Sequence, residues 1–241
     1  MNRCSFSLAL CSALLLAPIQ AAPPSDDAER GAELFERARR AATGGNELHD
    51  YAFDLATVIE MPDGRRVRFT SFVQVIPPSA FRQHLESAAG NQTMFFSGDA
   101  AWQQTIQGRR DLPQSVVRRQ DADLRRGHVL YKPAPSGVTY RGADEVEGRA
   151  VDVIQIADVA GAPLRLFLDQ ETHDLLKRVY VGDAPDGSMA QVEEFLSNYV
   201  LVGGFRWPTT KRVVRNGKIA TTSTASNFEV NQGLDSKTLL R

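Results

Sequence analysis

Past residue 11 the sequence has no cysteine: Cys4 and Cys11 are the only two among 241 residues. Both lie in an N-terminal segment that reads as a leader, so a chain without that leader has no thiol at all. Disulfides, thiolate nucleophiles and cysteine-ligated metals are then excluded. Charge excess is missing too. The composition is 42% apolar and 24% charged with a formal charge of −1, an ordinary globular balance. Lys and Arg are interspersed with Asp and Glu, which leaves no broad positive field for a phosphate backbone, and nucleic acid is not expected as a partner.

The usual signatures of catalysis are also absent. There is no Gly-x-Ser-x-Gly elbow, P-loop or dinucleotide glycine fingerprint. His49, His84, His128 and His173 lack the close spacing that zinc ligands on one helix require, and each is expected on a surface or a strand. Asp183-Ala184-Pro185-Asp186-Gly187 begins like a calcium loop but lacks the later ligands and closing Glu, so it reads as a turn. Carboxylate pairs occur at Glu145/Glu147 and Glu193/Glu194, and general acid/base work would need the two groups of a pair held in different environments that push their pKa values apart. Glu145 and Glu147, beside Arg149, suit a solvated edge. Arg109-Arg110, Arg118-Arg119 and Arg125-Arg126 form a mild basic series that reads as a solvated helix face. Neither an enzyme nor a cofactor is expected.

What is present begins with residues 1–22: Arg3, an uncharged run through Leu16 to Ala22, then Pro23-Pro24 and Ser25-Asp26-Asp27. This pattern is that of a secretory signal peptide cleaved after Ala21 or Ala22, with an apolar core too short for a membrane anchor. Leu10 is too bulky for the position before a lipidated cysteine. Losing Arg3 takes the formal charge from −1 to −2. Residues 23–241 show no internal repeat or low-complexity linker and are expected to form one domain, exported to the periplasm.

Within that stretch a helix is predicted over 27–42, where Ala28, Leu34, Phe35 and Ala38 recur at helical spacing before Thr43-Gly44-Gly45. The period then becomes two. Tyr51, Phe53, Leu55, Thr57 and Ile59 share one face, Pro62-Asp63-Gly64 turns the chain, and Val67, Phe69, Ser71, Val73 and Val75 form the returning face. Further strands are predicted at 81–88, 92–97, 101–106, 137–141, 150–157, 163–169, 176–181, 191–200, 205–215 and 218–229, with a second helix from Pro113 to Leu130. Asn216-Gly217 is the strongest hairpin turn signal.

The fold class is therefore α+β and mainly antiparallel β. A sheet this large is expected to curl into an unclosed half-barrel with a helical lid. Its concave face would carry Phe53, Leu55, Phe69, Val73, Leu164, Leu166 and Leu168, and Trp102 is placed with this ligand-binding set. The three leucines share one face of a strand, and Arg165 and Asp169 are expected on the other, in water.

The stretch EEFLSNYVLVGGFRWPTTKRVVRNGK, residues 193–218, contains Tyr199, Val202, Gly204, Pro208 and Gly217 in an order that resembles the C-terminal pattern of bacterial outer-membrane lipoprotein-sorting proteins, the LolA-like carriers. Other pieces agree in order: Gly98-Asp99 then Trp102, Leu112-Pro113, Gly148-Arg149, Asp169 with Thr172 before Arg178, and Asn231 with Leu234-Asp235. Two positions depart from the pattern: His173 stands where a turn glycine is usual, and Leu239 replaces a final aromatic. The resemblance implies a periplasmic half-barrel whose apolar site takes acyl chains of lipids or lipoproteins. The family also includes sensor domains, so a protein-interaction or envelope-sensing module with a periplasmic or membrane partner is the alternative. A cavity of roughly 300 Å³ or more separates the carrier from a module with a packed interior.

Overall fold

In a computed structural model, residues 26–240 are described apart from 62, 79, 89, 99 and 184–187. The leader, Pro62, Asp99 and residues 184–187 of the 183–187 turn lie outside the described residues.

Helix α1 (Asp26–Thr43) opens with Asp26, Asp27 and Glu29, where carboxylates favour the positive end of the helix. Gly31, Leu34, Phe35 and Ala38 are buried along one face. Gly31 is there for clearance, since a Cβ at this position would sit 2.8 Å from the backbone of Thr139. The helix ends at Gly44 (φ +58°), whose N–H reaches the carbonyl of Arg40 at 2.8 Å.

Strands β1 (Tyr51–Glu60) and β2 (Arg66–Ile76) then form the expected hairpin. Its register pairs Tyr51 with Val75, Phe53 with Val73, Leu55 with Ser71, Thr57 with Phe69 and Ile59 with Val67, so the alternation read from the sequence is one continuous face. The chain continues outward through β3 (Ala80–Glu86), β4 (Gln92–Ser97), β5 (Ala100–Thr105) and β6 (Gly108–Asp111). Helix α2 (Gln114–Gly127) and a 3₁₀ turn, Val129–Tyr131, carry it to the far edge. It returns through β7 (Val138–Val146), β8 (Arg149–Ile156), β9 (Leu164–Asp169), β10 (Leu175–Asp183), β11 (Met189–Val202), β12 (Phe205–Arg215) and β13 (Lys218–Val230). Asn216 and Gly217, both at positive φ, make the two-residue turn between the last two strands.

The thirteen strands among the described residues belong to one antiparallel sheet in the order β6-β5-β4-β3-β2-β1-β13-β12-β11-β10-β9-β8-β7. Among the described residues β6 and β7 are the unpaired edges, so the sheet is a curved, unclosed half-barrel, and helices α1 and α2 cover its concave face. The return of the chain is fixed where β13 meets β1. There the Asp50 carboxylate, itself buried, accepts the backbone N–H groups of Gln232, Gly233 and Leu234.

Two elements were not foreseen. Strand β6 is short and exposed throughout, so no apolar alternation announces it. A third helix, α3 (Ser236–Leu240), returns to the sheet's outer side, where fully buried Leu239 packs with Ala80, Phe95 and Trp102.

Strand β9 corrects the predicted faces. Leu164, Leu166 and Leu168 are fully buried on the inner face and Arg165 is exposed. Phe167 and Asp169 on the outer face, however, are also buried. Phe167 joins Val146, Val151, Val153, Leu176 and Val179 in a second apolar layer, over which Lys177 lies as a cation on the Phe167 ring. Asp169 holds a turn rather than meeting water: it accepts from the N–H groups of Glu171 and Thr172 and pairs with Arg149 at 2.8 Å. The two faces of this sheet are thus both apolar around β9, which is why strict alternation misplaced the aspartate.

Candidate binding cavity

Between α2 and the concave face lies a cavity of about 360 Å³. Its wall is built from the alternation of the first hairpin: Tyr51, Phe53 and Leu55 of β1, with Val73 and Val75 of β2, all point inward. The far strands bring Trp207 and Phe228 to the same space. Four rings close into a loop: Tyr51 stands 4.8 Å from Trp207, Trp207 5.6 Å from Phe228, Phe228 5.4 Å from Phe53 and Phe53 5.8 Å from Tyr51. Tyr131, from the turn after α2, stacks on Trp207 at 5.0 Å. Rings at such separations form a rigid apolar lining.

Helix α2 covers this space with little of its own surface. Only Leu124 and Arg126 are buried along it, and its first residues follow Pro113, which supplies no side-chain cap. The C-terminal end is held by polar contacts. Arg126 is buried, against the expectation of a solvated helix face, with its guanidinium 4.4 Å over the ring of Tyr180. Arg178, buried on β10, donates to the carbonyl of Arg126 at 2.9 Å and to the carboxylate of Glu194. Tyr180 donates to the other oxygen of Glu194 at 3.2 Å. Burial alone would raise the Glu194 carboxyl, but the charges of Arg178 and Lys211 and these hydrogen bonds outweigh it and hold the group well below the usual range.

His128 follows the helix and is buried, again against expectation. One ring nitrogen, Nδ1, lies 2.6 Å from the carbonyl of Leu124 and so carries the proton; the other, Nε2, accepts from the Tyr51 hydroxyl at 2.7 Å. Burial pushes the imidazole down to about 4. A neutral histidine with both nitrogens engaged joins α2 to β1 rather than exchanging protons with a substrate.

The cavity lining also includes His173, Asp174 and Arg206. Arg206 meets both oxygens of Asp174, at 2.9 and 2.6 Å. His173 adopts φ +59°, the conformation a glycine would take without strain. Tyr199 lies beside this pair and donates to the carbonyl of Leu175 at 2.6 Å. Among the described residues no group of three or more His, Cys, Asp or Glu side chains is arranged to hold a metal ion. No described helix is long and apolar enough to cross a membrane.

Of the residues singled out in the sequence, Phe53, Leu55 and Val73 line this cavity. Phe69 shares their face but lies farther along β2, opposite Thr57. Leu164, Leu166 and Leu168 lie beneath α1, packed with Leu34, Phe35 and Ala38. Trp102 is stacked on Phe95 under α3, in a separate cluster. Three aromatic lining residues that were not singled out are far apart in sequence: Trp207 and Phe228 are carried in by β12 and β13, which join β1 in the sheet, and Tyr131 arrives on the turn after α2. Their one sequence signal was their aromatic character.

No family model matches the sequence, and no curated protein matches it. Solved structures do. A LolA superfamily protein from Nitrosomonas europaea aligns with a TM-score of 0.59 at 14% identity, over 90% of this chain and 99% of that one. A DUF1329 family protein from Desulfovibrio piger aligns with a TM-score of 0.63 at 13% identity, over 89% and 98%. A domain named for outer membrane lipoprotein sorting, from Vibrio parahaemolyticus, gives 0.58 at 12% identity, over 88% and 97%. The chain has the LolA-like fold.

Proposed function

We propose that the protein is a periplasmic carrier, sheltering the acyl chains of a lipid or lipoprotein in the half-barrel on the way to the outer membrane. The observation that carries this reading is the aromatic-lined cavity of about 360 Å³ under α2, a size suited to a small amphiphile. An acyl chain in water costs about 0.8 kcal/mol per methylene, so moving one across an aqueous compartment calls for an apolar enclosure and for no reactive group. The fold, shared with a domain named for outer membrane lipoprotein sorting and with a LolA superfamily protein, supports the same direction. The leader supplies the compartment: the exported chain should begin near Ala22 or Pro23, and N-terminal sequencing that found Met1 would contradict this.

Fatty acids of graded length test the carrier directly. Trp207 lies in the cavity wall while Trp102 is remote from it, so the fluorescence of Trp207 reports binding and Trp207→Phe removes the signal. Each methylene should tighten binding by up to about fourfold until the cavity is full. Equal affinity at all lengths, or no binding by folded protein, would leave the protein-interaction module as the better account.

A further inference from the structure

We infer that one end of the cavity recognises an acid group, and hence that the cargo is an anionic single-chain amphiphile held at its head by Lys211. This rests on the carrier reading and narrows it.

The inference comes from matching charges beneath α2. Three cations, Arg126, Arg178 and Lys211, share this region with two carboxylates, Asp123 and Glu194. Glu194 is occupied by Arg178 and by the hydroxyl of Tyr180. Asp123 faces Arg126 at 3.5 Å. Lys211 is left over. It lies on the cavity wall, and among the described residues its ammonium has no hydrogen bond or ion pair; Asp123 and Glu194 sense it only as a more distant charge. An ammonium brings three donors, and at the rim of an apolar space it is the natural partner of a ligand's anion.

The sheet register places this group where a head would sit. Lys211 pairs with Ser223 on β13, both on the cavity wall, and Ser223 pairs with Thr57 on β1, which continues the row just beyond that wall. The Ser223 and Thr57 hydroxyls bond each other at 2.9 Å, and either can turn to donate to an incoming oxygen. On β1 the inward residues after Thr57 are Leu55 and then Phe53, where the ring of aromatic side chains begins. A polar row thus borders the apolar lining at one end, and a single chain with an acid head fits that sequence of surfaces.

The probes are dodecanoate, its methyl ester and dodecyl phosphate, titrated against the full exported chain by calorimetry at a pH where the acids are ionised. Wild-type protein should hold dodecanoate or dodecyl phosphate roughly tenfold more tightly than the ester, the effect of one charge-assisted hydrogen bond. Whichever anion binds better identifies the head as carboxylate or phosphate. Lys211→Met should erase the gap while leaving the ester unchanged, and Lys211→Arg should keep it. Equal binding of acids and ester by wild type overturns the inference but leaves the carrier reading standing. So does a gap that survives in folded Lys211→Met. Failure of all three probes to bind folded protein removes both. If Lys211→Met does not fold, the wild-type gap and its retention in Lys211→Arg decide the matter.

Discussion

Helices α1 and α2 cover two parts of one concave face and treat it differently. Beneath α1 the space is filled: Phe35, Ile154, Ile156, Leu164 and Leu166 are entirely out of water. Beneath α2 the space is lined by rings that are only partly covered, Phe53 and Phe228 from the sheet and Tyr131 from the turn after the helix, with about 360 Å³ unfilled. The strands on both sides alternate in the same way. The difference lies in the covering helices. Helix α1 brings Leu34, Phe35 and Ala38 down to the sheet and approaches closely through Gly31; α2 buries only Leu124 and Arg126 and is held by polar contacts at one end. An apolar face on a strand therefore says that something apolar can lie over it, and the helix determines whether side chains fill that space or leave it open.

Substitution by aspartate should expose this difference most strongly. Leu166→Asp places a charge where no water reaches and should cost about 4 kcal/mol or more, or prevent folding. Leu55→Asp, at the cavity wall, keeps access to water and should cost no more than about half as much. Chemical denaturation of both variants checks the pair, and equal losses would dissolve the distinction between core and cavity.

Next in size is the buried pair that holds α2. Arg178→Met leaves the buried Glu194 with the Tyr180 hydroxyl as its hydrogen-bond donor and the more distant charge of Lys211, and should cost about 3–5 kcal/mol. The double change with Glu194→Leu removes the stranded charge and should recover much of the loss. If the single change costs under about 1 kcal/mol, the polar attachment of α2 is not what holds it.

A pH titration sharpens the same point. His128 in the folded protein is pushed down to about 4 from an ordinary 6.5, so the unfolded chain binds the proton more readily. Its contribution is complete above pH 6.5 and is lost as pH falls towards about 4, a change on the order of 3 kcal/mol. Denaturation midpoints measured across that window should fall more steeply for wild type than for His128→Gln, whose remaining decline near pH 4 comes from carboxylates such as Glu194 that are held low in the fold. A parallel decline in both would assign the effect to other groups.

The smallest expected effect lies on the outside of the filled half. Arg165 is exposed between buried neighbours, and Arg165→Asp should change stability by no more than about 0.5 kcal/mol. A loss comparable with that of Leu166→Asp would mean that the faces of β9 are misassigned.

How far the sequence could be read follows from the range over which its signals act. The first hairpin and the Asn216-Gly217 turn were legible because their residues are neighbours in the chain and obey a period of two or a specific backbone requirement. The turn residues behind the family resemblance were legible for the same reason. Gly204, at φ +85°, and Asp169, which caps the turn before β10, shape the backbone, so they speak for the fold and carry no information about cargo. The buried polar groups were not legible. Arg126 looked like its solvated neighbour Arg125 until α2 was laid against Tyr180, and His128 looked like a surface histidine until β1 brought Tyr51 to it. The cavity needed both halves of the chain, since Phe53 meets Phe228 only where the first and last strands pair.

The claim that one half of the face is core and the other a ligand site is tested most directly by mapping where a bound chain goes. A fatty acid carrying a diazirine near its methyl end, photolysed on the folded protein and located by peptide mass spectrometry, should label segments containing Phe53, Val73, Tyr131 or Phe228, and unlabelled fatty acid should compete it away. Label on the Leu164–Asp169 strand beneath α1, or label spread over the surface without competition, would contradict the account.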